Sequence, residues 1–163
     1  MSISKQLRGL GVALVTPFLK NGDLDFDGLK RLIDFVIDNG VNYVVSLGTT
    51  GESVTLDEAE KLRVLNFTIE TVNKRVPVVA GFGGNDTRKV LHQMDAYHFN
   101  GVDAILSVCP YYNRPSQEGL FRHFELIAKE APRPVLLYNV PSRTSCNMEA
   151  KTAVRLAQEC PNI

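Results

Sequence analysis

The chain has 163 residues, of which 44% are hydrophobic and 22% charged, and 18 basic side chains balance 18 acidic ones. Those proportions describe an ordinary globular protein of about one domain, and zero net charge excludes a general electrostatic affinity for nucleic acid or anionic membrane. No apolar run approaches the roughly 20 residues that span a bilayer, and the N-terminus lacks the basic start and apolar stretch of a signal peptide, so a cytoplasmic protein is expected.

In chain order, short apolar runs alternate with longer amphipathic segments. Val12–Val15 is the first run. In 26–39, Leu29, Leu32, Ile33, Val36 and Ile37 form one stripe at helical spacing, and Asn39-Gly40 ends it as a helix C-terminus should. Tyr43–Leu47 is the second run. Thr55-Leu-Asp-Glu58 has the pattern of a capping box and opens a helix to about Asn73. After Val76–Ala80, Asn85 or Asp86 starts a third helix, which stops at Asn100-Gly101. Ala104–Val108 precedes a helix from Ser116, and Pro134–Tyr138 precedes one from Asn147 to about Glu159.

The runs are apolar almost throughout instead of at every second residue, as strands of a parallel sheet buried on both faces should be. Five strand–helix units in a row predict an α/β protein. An open doubly wound sheet and a portion of a (β/α)8 barrel both satisfy that pattern. Length favours the open sheet, because complete barrels need roughly 200 residues or more; the loops favour the barrel. Cys109, Cys146 and Cys160 have no metal-ligand or disulfide spacing and are expected to be buried apolar fillers.

In parallel α/β folds chemistry sits at the C-terminal ends of strands. Those ends are Thr16-Pro17, Gly48-Thr-Thr-Gly-Glu-Ser53, Gly81–Asn85, Cys109–Pro115 and Tyr138–Arg143. The two glycines of Gly48–Ser53 allow N–H groups and the Thr49 and Thr50 hydroxyls to converge on an anion, a carboxylate or a single phosphate. A tight turn with threonine caps explains the same residues without a ligand. Tyr111, Tyr112 and Tyr138 lie where a phenol can face a pocket and relay protons with a hydroxyl such as Thr49. Arg143 follows a strand in a proline-containing turn, placed to fork onto a carboxylate. His92, His98 and His123 fall within predicted helices and receive no chemistry.

Three of these stretches, Gly48–Ser53, Pro110-Tyr-Tyr-Asn-Arg-Pro-Ser-Gln-Glu-Gly-Leu120 and Tyr138-Asn-Val-Pro-Ser-Arg-Thr144, closely resemble the dihydrodipicolinate synthase family of class I pyruvate-dependent aldolases. The resemblance runs over essentially the whole chain from Gly9. It implies a TIM barrel, here an incomplete one of about five βα units in a single domain spanning 1–163. It implies condensation of pyruvate with L-aspartate-4-semialdehyde through a lysine Schiff base in lysine and diaminopimelate biosynthesis. No metal or organic cofactor is expected, because the imine serves as the electron sink. Thr49 and Thr50 would hold the pyruvate carboxylate, with Thr49, Tyr112 and Tyr138 as the catalytic relay. Tyr112 would reach into a neighbouring subunit of a homotetramer built from tight dimers. Arg143 would bind the semialdehyde carboxylate.

Ser53, Asn85 and Tyr111 match positions of the family's lysine allosteric site, but Glu58 and Lys89 stand where lysine-sensitive members commonly carry His and Glu. Weak or absent lysine feedback is therefore expected. The resemblance also places the Schiff-base lysine on a sixth strand, shortly beyond Ile163. The eight lysines at positions 5, 20, 30, 61, 74, 89, 129 and 151 avoid every predicted strand end. The expectation is a chain truncated before its nucleophile and inactive alone. Related pyruvate aldolases acting on sialic or sugar acids are the alternative, against which Arg143 and its turn count. A non-catalytic fragment acting by association is another.

Overall fold

The computed structural model describes residues 3–163. They divide into two compact units, one reaching to Gly81 together with Gly101–Asp103, the other comprising Phe82–Asn100 and Ala104–Ile163.

In the first unit β1 (Gly11–Ala13), β2 (Tyr43–Ser46) and β3 (Val78–Gly81) pair in parallel with β2 central, Val44 lying opposite both Val12 and Val78. Valines dominate β2 and β3 because both faces of these strands are covered. The stripe anticipated on α2 (Phe26–Asp38) is buried at Leu29, Ile33 and Val36, and α2 packs on α3 (Glu58–Val72). Each fully buried Leu or Ile contributes roughly 1.5–3 kcal/mol. A one-turn helix, α1 (Ile3–Gln6), precedes β1.

In the second unit β4 (Ala104–Val108) and β5 (Val135–Tyr138) are parallel, with Ile105 opposite Val135 and Val108 opposite Tyr138. Around them lie α4 (Thr87–Asp95), α5 (Gln117–Glu130), the single turn α6 (Pro141–Thr144) and α7 (Ala150–Glu159). Val90, Met94, Leu120, Phe121, Phe124, Ile127 and Leu156 fill the core between them. The Asn162 amide reaches the carbonyls of Ala128, Ala131 and Arg133, which fixes the turn from α5 into β5.

Several boundaries differ from the sequence reading. The capping box of α3 is Asp57 with Glu60, two residues beyond the expected pair: Asp57 accepts from the Glu60 N–H at 2.8 Å, and Glu60 accepts from the Asp57 N–H at 2.9 Å. Thr55 instead closes a 3-10 turn by donating to the Glu52 carbonyl. A carboxylate at both positions wins because it also complements the helix dipole. Helix α4 stops at Asp95, short of Asn100-Gly101, because Tyr97 and Phe99 turn inward onto Phe82 at 5.7 and 4.8 Å between ring centroids. That burial outweighs another helical turn, and Phe99 takes a φ of +44° to achieve it. His98 consequently lies beyond the helix. Asn147 precedes α7 by three residues and is bonded elsewhere, while Glu149 occupies the cap position. Asp86 and Ser116 cap α4 and α5 as expected.

The three cysteines are buried and unpaired, and burial pushes the Cys109 thiol up to about 11. His123 on α5 is 5% exposed, with Nδ1 bonded to Thr87 Oγ1 at 2.8 Å. Its Nε2 has no hydrogen-bond partner among the described residues. Burial lowers its pKa to about 4, so the folded protein holds it neutral.

Two predictions follow from these contacts. Asp57→Ala should lower stability by about 1 kcal/mol, and Thr55→Ala by clearly less, in urea denaturation; equal losses would restore Thr55 as the cap. For His123, the unfolded chain takes up a proton near pH 6.5 while the folded one resists until about 4. Stability should therefore be constant above pH 6.5 and fall as pH drops from 6.5 towards 4. Between pH 7 and 5 the loss should be about 1–2 kcal/mol, and His123→Leu should flatten it; an unchanged slope in that variant would contradict the assignment.

Candidate active-site loops

The loop after β2 is shaped by its backbone. Leu47, buried, takes a φ of +58° and turns the chain sharply out of the strand. Its carbonyl lies so close to Gly81, at the end of β3, that any Cβ there would collide with it. Gly48 is extended, and Thr49–Gly51 follows as a 3-10 turn in which the Gly51 N–H returns to the Gly48 carbonyl at 3.0 Å. The Gly51 carbonyl is pinned from below by the buried Thr16 hydroxyl at 2.7 Å. Glu52, with a φ of +52°, starts the next turn, Ser53–Thr55.

The outcome is a fixed turn with the exposed Thr49 and Thr50 hydroxyls on it. The leading N–H groups of a 3-10 turn have no acceptor inside it. Exposed hydroxyls beside such N–H groups suit a carboxylate, which accepts several hydrogen bonds at once. Ser53 is half-buried in the same loop.

The second unit carries the remaining candidates. Tyr138 ends β5, half-buried, and its carbonyl accepts from the Cys109 N–H at 3.0 Å, extending the β4–β5 ladder by one bond. Tyr111 is half-buried in the loop after β4. Tyr112 has a φ of +74° and is 89% exposed. Asn113 Nδ2 donates to the Asn85 carbonyl at 3.0 Å, so Asn85 and the tyrosine loop are held together. Arg143 is the third residue of α6, exposed, and forms no ion pair among the described residues.

Sequence reasoning missed the second tier. Thr16 was visible only as a strand end, yet its hydroxyl holds Gly51. Asn113 and Asn139, flanking the tyrosines, carry the loop contacts. An amide side chain beside each strand end was the available signal. The lysines lie on α1, α2, α3, α4, α5 and α7, at Lys20 in the turn after Leu19, and at Lys74 just after α3. Among the described residues no group of three His, Cys, Asp or Glu is placed to hold a metal ion, and no helix is long and apolar enough to cross a membrane.

Comparison with known proteins sets this geometry in context. The pattern of the Dihydrodipicolinate synthetase family matches residues 6–163. The 4-hydroxy-tetrahydrodipicolinate synthase of Porphyromonas gingivalis is 48% identical over 158 residues, 97% of this chain and 53% of the relative. That of Cytophaga hutchinsonii is 52% identical over 150 residues, 92% of this chain and 50% of the relative. Dihydrodipicolinate synthase from Thermotoga maritima superposes with a TM-score of 0.92 at 42% identity, over 97% of this chain and 53% of the other. A chloride-inhibited dihydrodipicolinate synthase from Acinetobacter baumannii, complexed with pyruvate, gives 0.92 at 46% identity, over 96% and 54%. The chain thus spans about half the length of the curated relatives it matches. The likeness also decides between the two architectures: the five βα units belong to the TIM-barrel fold family, not to an open doubly wound sheet.

Thr16→Val should leave the buried Gly51 carbonyl without its donor and destabilise the protein by about 1–3 kcal/mol. The Gly48–Ser53 amides should exchange with solvent faster than in the parent. A variant as stable and as protected as the parent would show that the turn holds without Thr16.

Proposed function

Because the chain belongs to the dihydrodipicolinate synthetase family, we propose that it supplies binding and proton-transfer groups of a 4-hydroxy-tetrahydrodipicolinate synthase. The observation that carries this is the set of strand-end loops, Gly48–Ser53, Pro110–Leu120 and Tyr138–Thr144, whose hydroxyls, phenols and arginine suit carboxylate binding and proton transfer.

The chemistry begins with pyruvate condensed onto a lysine amine as an imine, with loss of water. A proton leaves its methyl group, and the resulting enamine carbon attacks the aldehyde of L-aspartate-4-semialdehyde, forming the new carbon–carbon bond. Cyclisation and release from the lysine follow. Thr49 and Thr50 bind the pyruvate carboxylate through hydroxyls and turn N–H groups. Tyr138 is the main acid/base group, and Thr49 and Tyr112 supply the other relay hydroxyls. Arg143 binds the semialdehyde carboxylate with its planar fork.

Tyr112 supports an oligomeric reading. An aromatic side chain 89% exposed, on backbone with a φ of +74°, gains nothing from its own fold. Contact with a neighbouring subunit's site accounts for it. We place the protein in the cytoplasm, where both substrates and the pathway belong. The match at Ser53, Asn85 and Tyr111 combined with a cation at Lys89 gives weak lysine feedback, since like charges repel.

Three measurements test the reading. In a chain extended to its relatives' length, coupled assays should show condensation of pyruvate with the semialdehyde and no cleavage of N-acetylneuraminate; the reverse preference would move the protein to the sialic-acid aldolases. In the same extended protein, Arg143→Leu should raise KM for the semialdehyde about tenfold or more with KM for pyruvate little changed. Within the 163 residues, borohydride with pyruvate should trap no adduct on any of the eight lysines, all away from strand ends. A stable adduct on one of them would overturn that placement of the nucleophile.

A further inference from the structure

The loop that carries Arg143 is closed by its own first residue. Asn139 follows β5, and its Nδ2 donates to Asn147 Oδ1 at 2.8 Å and to the Met148 carbonyl at 3.3 Å. Its Oδ1 accepts from the Met148 N–H at 3.0 Å and from the Cys109 thiol at 3.6 Å. Inside the loop, the buried Thr144 hydroxyl lies 3.2 Å from the Val140 carbonyl, 2.9 Å from the Cys146 carbonyl and 3.2 Å from the Cys146 N–H. Ser145 turns the chain with a φ of +54°, and its N–H returns to the Pro141 carbonyl at 2.9 Å.

The outer side is sealed by Gln117, the first residue of α5. Its Nε2 donates to the Asn147 carbonyl at 2.8 Å, while Oε1 accepts from the Glu149 N–H at 3.1 Å and the Thr152 hydroxyl at 2.6 Å. Residues 147–149 are therefore stitched on one side to the end of β5 and on the other to the start of α5. Arg143 sits within a segment whose two ends are tied together, while its own guanidinium remains exposed.

We propose that Asn139 is a positioning residue: it clasps the base of the 139–148 loop and thereby sets the direction in which Arg143 presents its fork to the second substrate's carboxylate. The orienting role rests on the synthase reading; the clasp does not. Asparagine suits the task because one planar group supplies two donors and an acceptor. Each of these bonds competes with water at a partly exposed site, so any one contributes modestly. Their effect comes from acting on one rigid group, since Met148, the partner of two of them, is 8% exposed.

The test uses Asn139→Asp, which keeps size and acceptor but loses both donors, and Asn147→Ala, which removes one partner from an exposed position and spares the fold. The first readout is trypsin cleavage after Arg143 under native conditions, followed by mass spectrometry. Both variants should be cut about tenfold faster than the parent; cleavage at the parent rate would overturn the clasp. The second readout is steady-state kinetics, in a chain extended to its relatives' length. KM for the semialdehyde should rise about fivefold with KM for pyruvate unchanged, whereas a uniform fall in kcat with both KM values unchanged would overturn the orienting role. Faster cleavage in an extended protein that condenses no semialdehyde would uphold the clasp and refute the synthase reading instead.

Discussion

The approach of the Leu47 carbonyl to the backbone of Gly81 is the constraint on which the first candidate loop depends. Parallel pairing of β2 with β3 sets Ser46 opposite Ala80, so the next residue of each strand must share the same narrow space. Only glycine fits at 81, and Leu47 leaves the strand by entering left-handed backbone. That conformation costs a branched residue about 1–2 kcal/mol, which the burial of its side chain offsets. Once the chain has turned there, Gly48 and the 3-10 turn follow. Thr49 and Thr50 face solvent, and the Gly51 carbonyl drops onto Thr16. A distance of two atoms in the sheet thus decides where two hydroxyls stand.

The second unit repeats the device with different residues. A Cβ at Gly83 would stand 2.8 Å from the Val108 backbone nitrogen, so glycine again admits a close passage beside a strand end. The ladder then runs one bond beyond β4, from the Cys109 N–H to the Tyr138 carbonyl. Beyond it the chain is held by side-chain amides, Asn113 on one loop and Asn139 on the other. The phenols and the arginine are carried by backbone whose course is fixed by neighbours that do no chemistry themselves.

This division of labour explains what the sequence disclosed. The strands were legible to within two residues, because Val78 to Ala80 or Ile105 to Ser107 must be apolar or small to lie under helices on a parallel sheet. Helix α2 was legible for the same reason. Thr49, Thr50, Tyr138 and Arg143 were legible as residues placed at strand ends or in the loops that follow them. The α3 cap was misplaced because Thr55 and Asp57 both precede glutamates by three residues, and only the 3-10 turn assigns Thr55 to Glu52. The end of α4 was misplaced because nothing local announces that Tyr97 and Phe99 will fold back on Phe82. The supporting bonds of Thr16, Asn139 and Gln117 join residues 35, 8 and 30 positions apart at their first partners, and no spacing rule reaches that far.

The proposal most open to direct test is that the Thr49–Gly51 turn seats the pyruvate carboxylate. Titration of pyruvate into 15N-labelled protein, with the Gly48–Ser53 amides assigned, tests it most directly. Saturable shifts of the Thr49 and Thr50 amides are expected, and they should disappear in a Thr49→Val, Thr50→Val double variant with an otherwise unchanged spectrum. Shifts confined to other loops, or none at the turn, would contradict it.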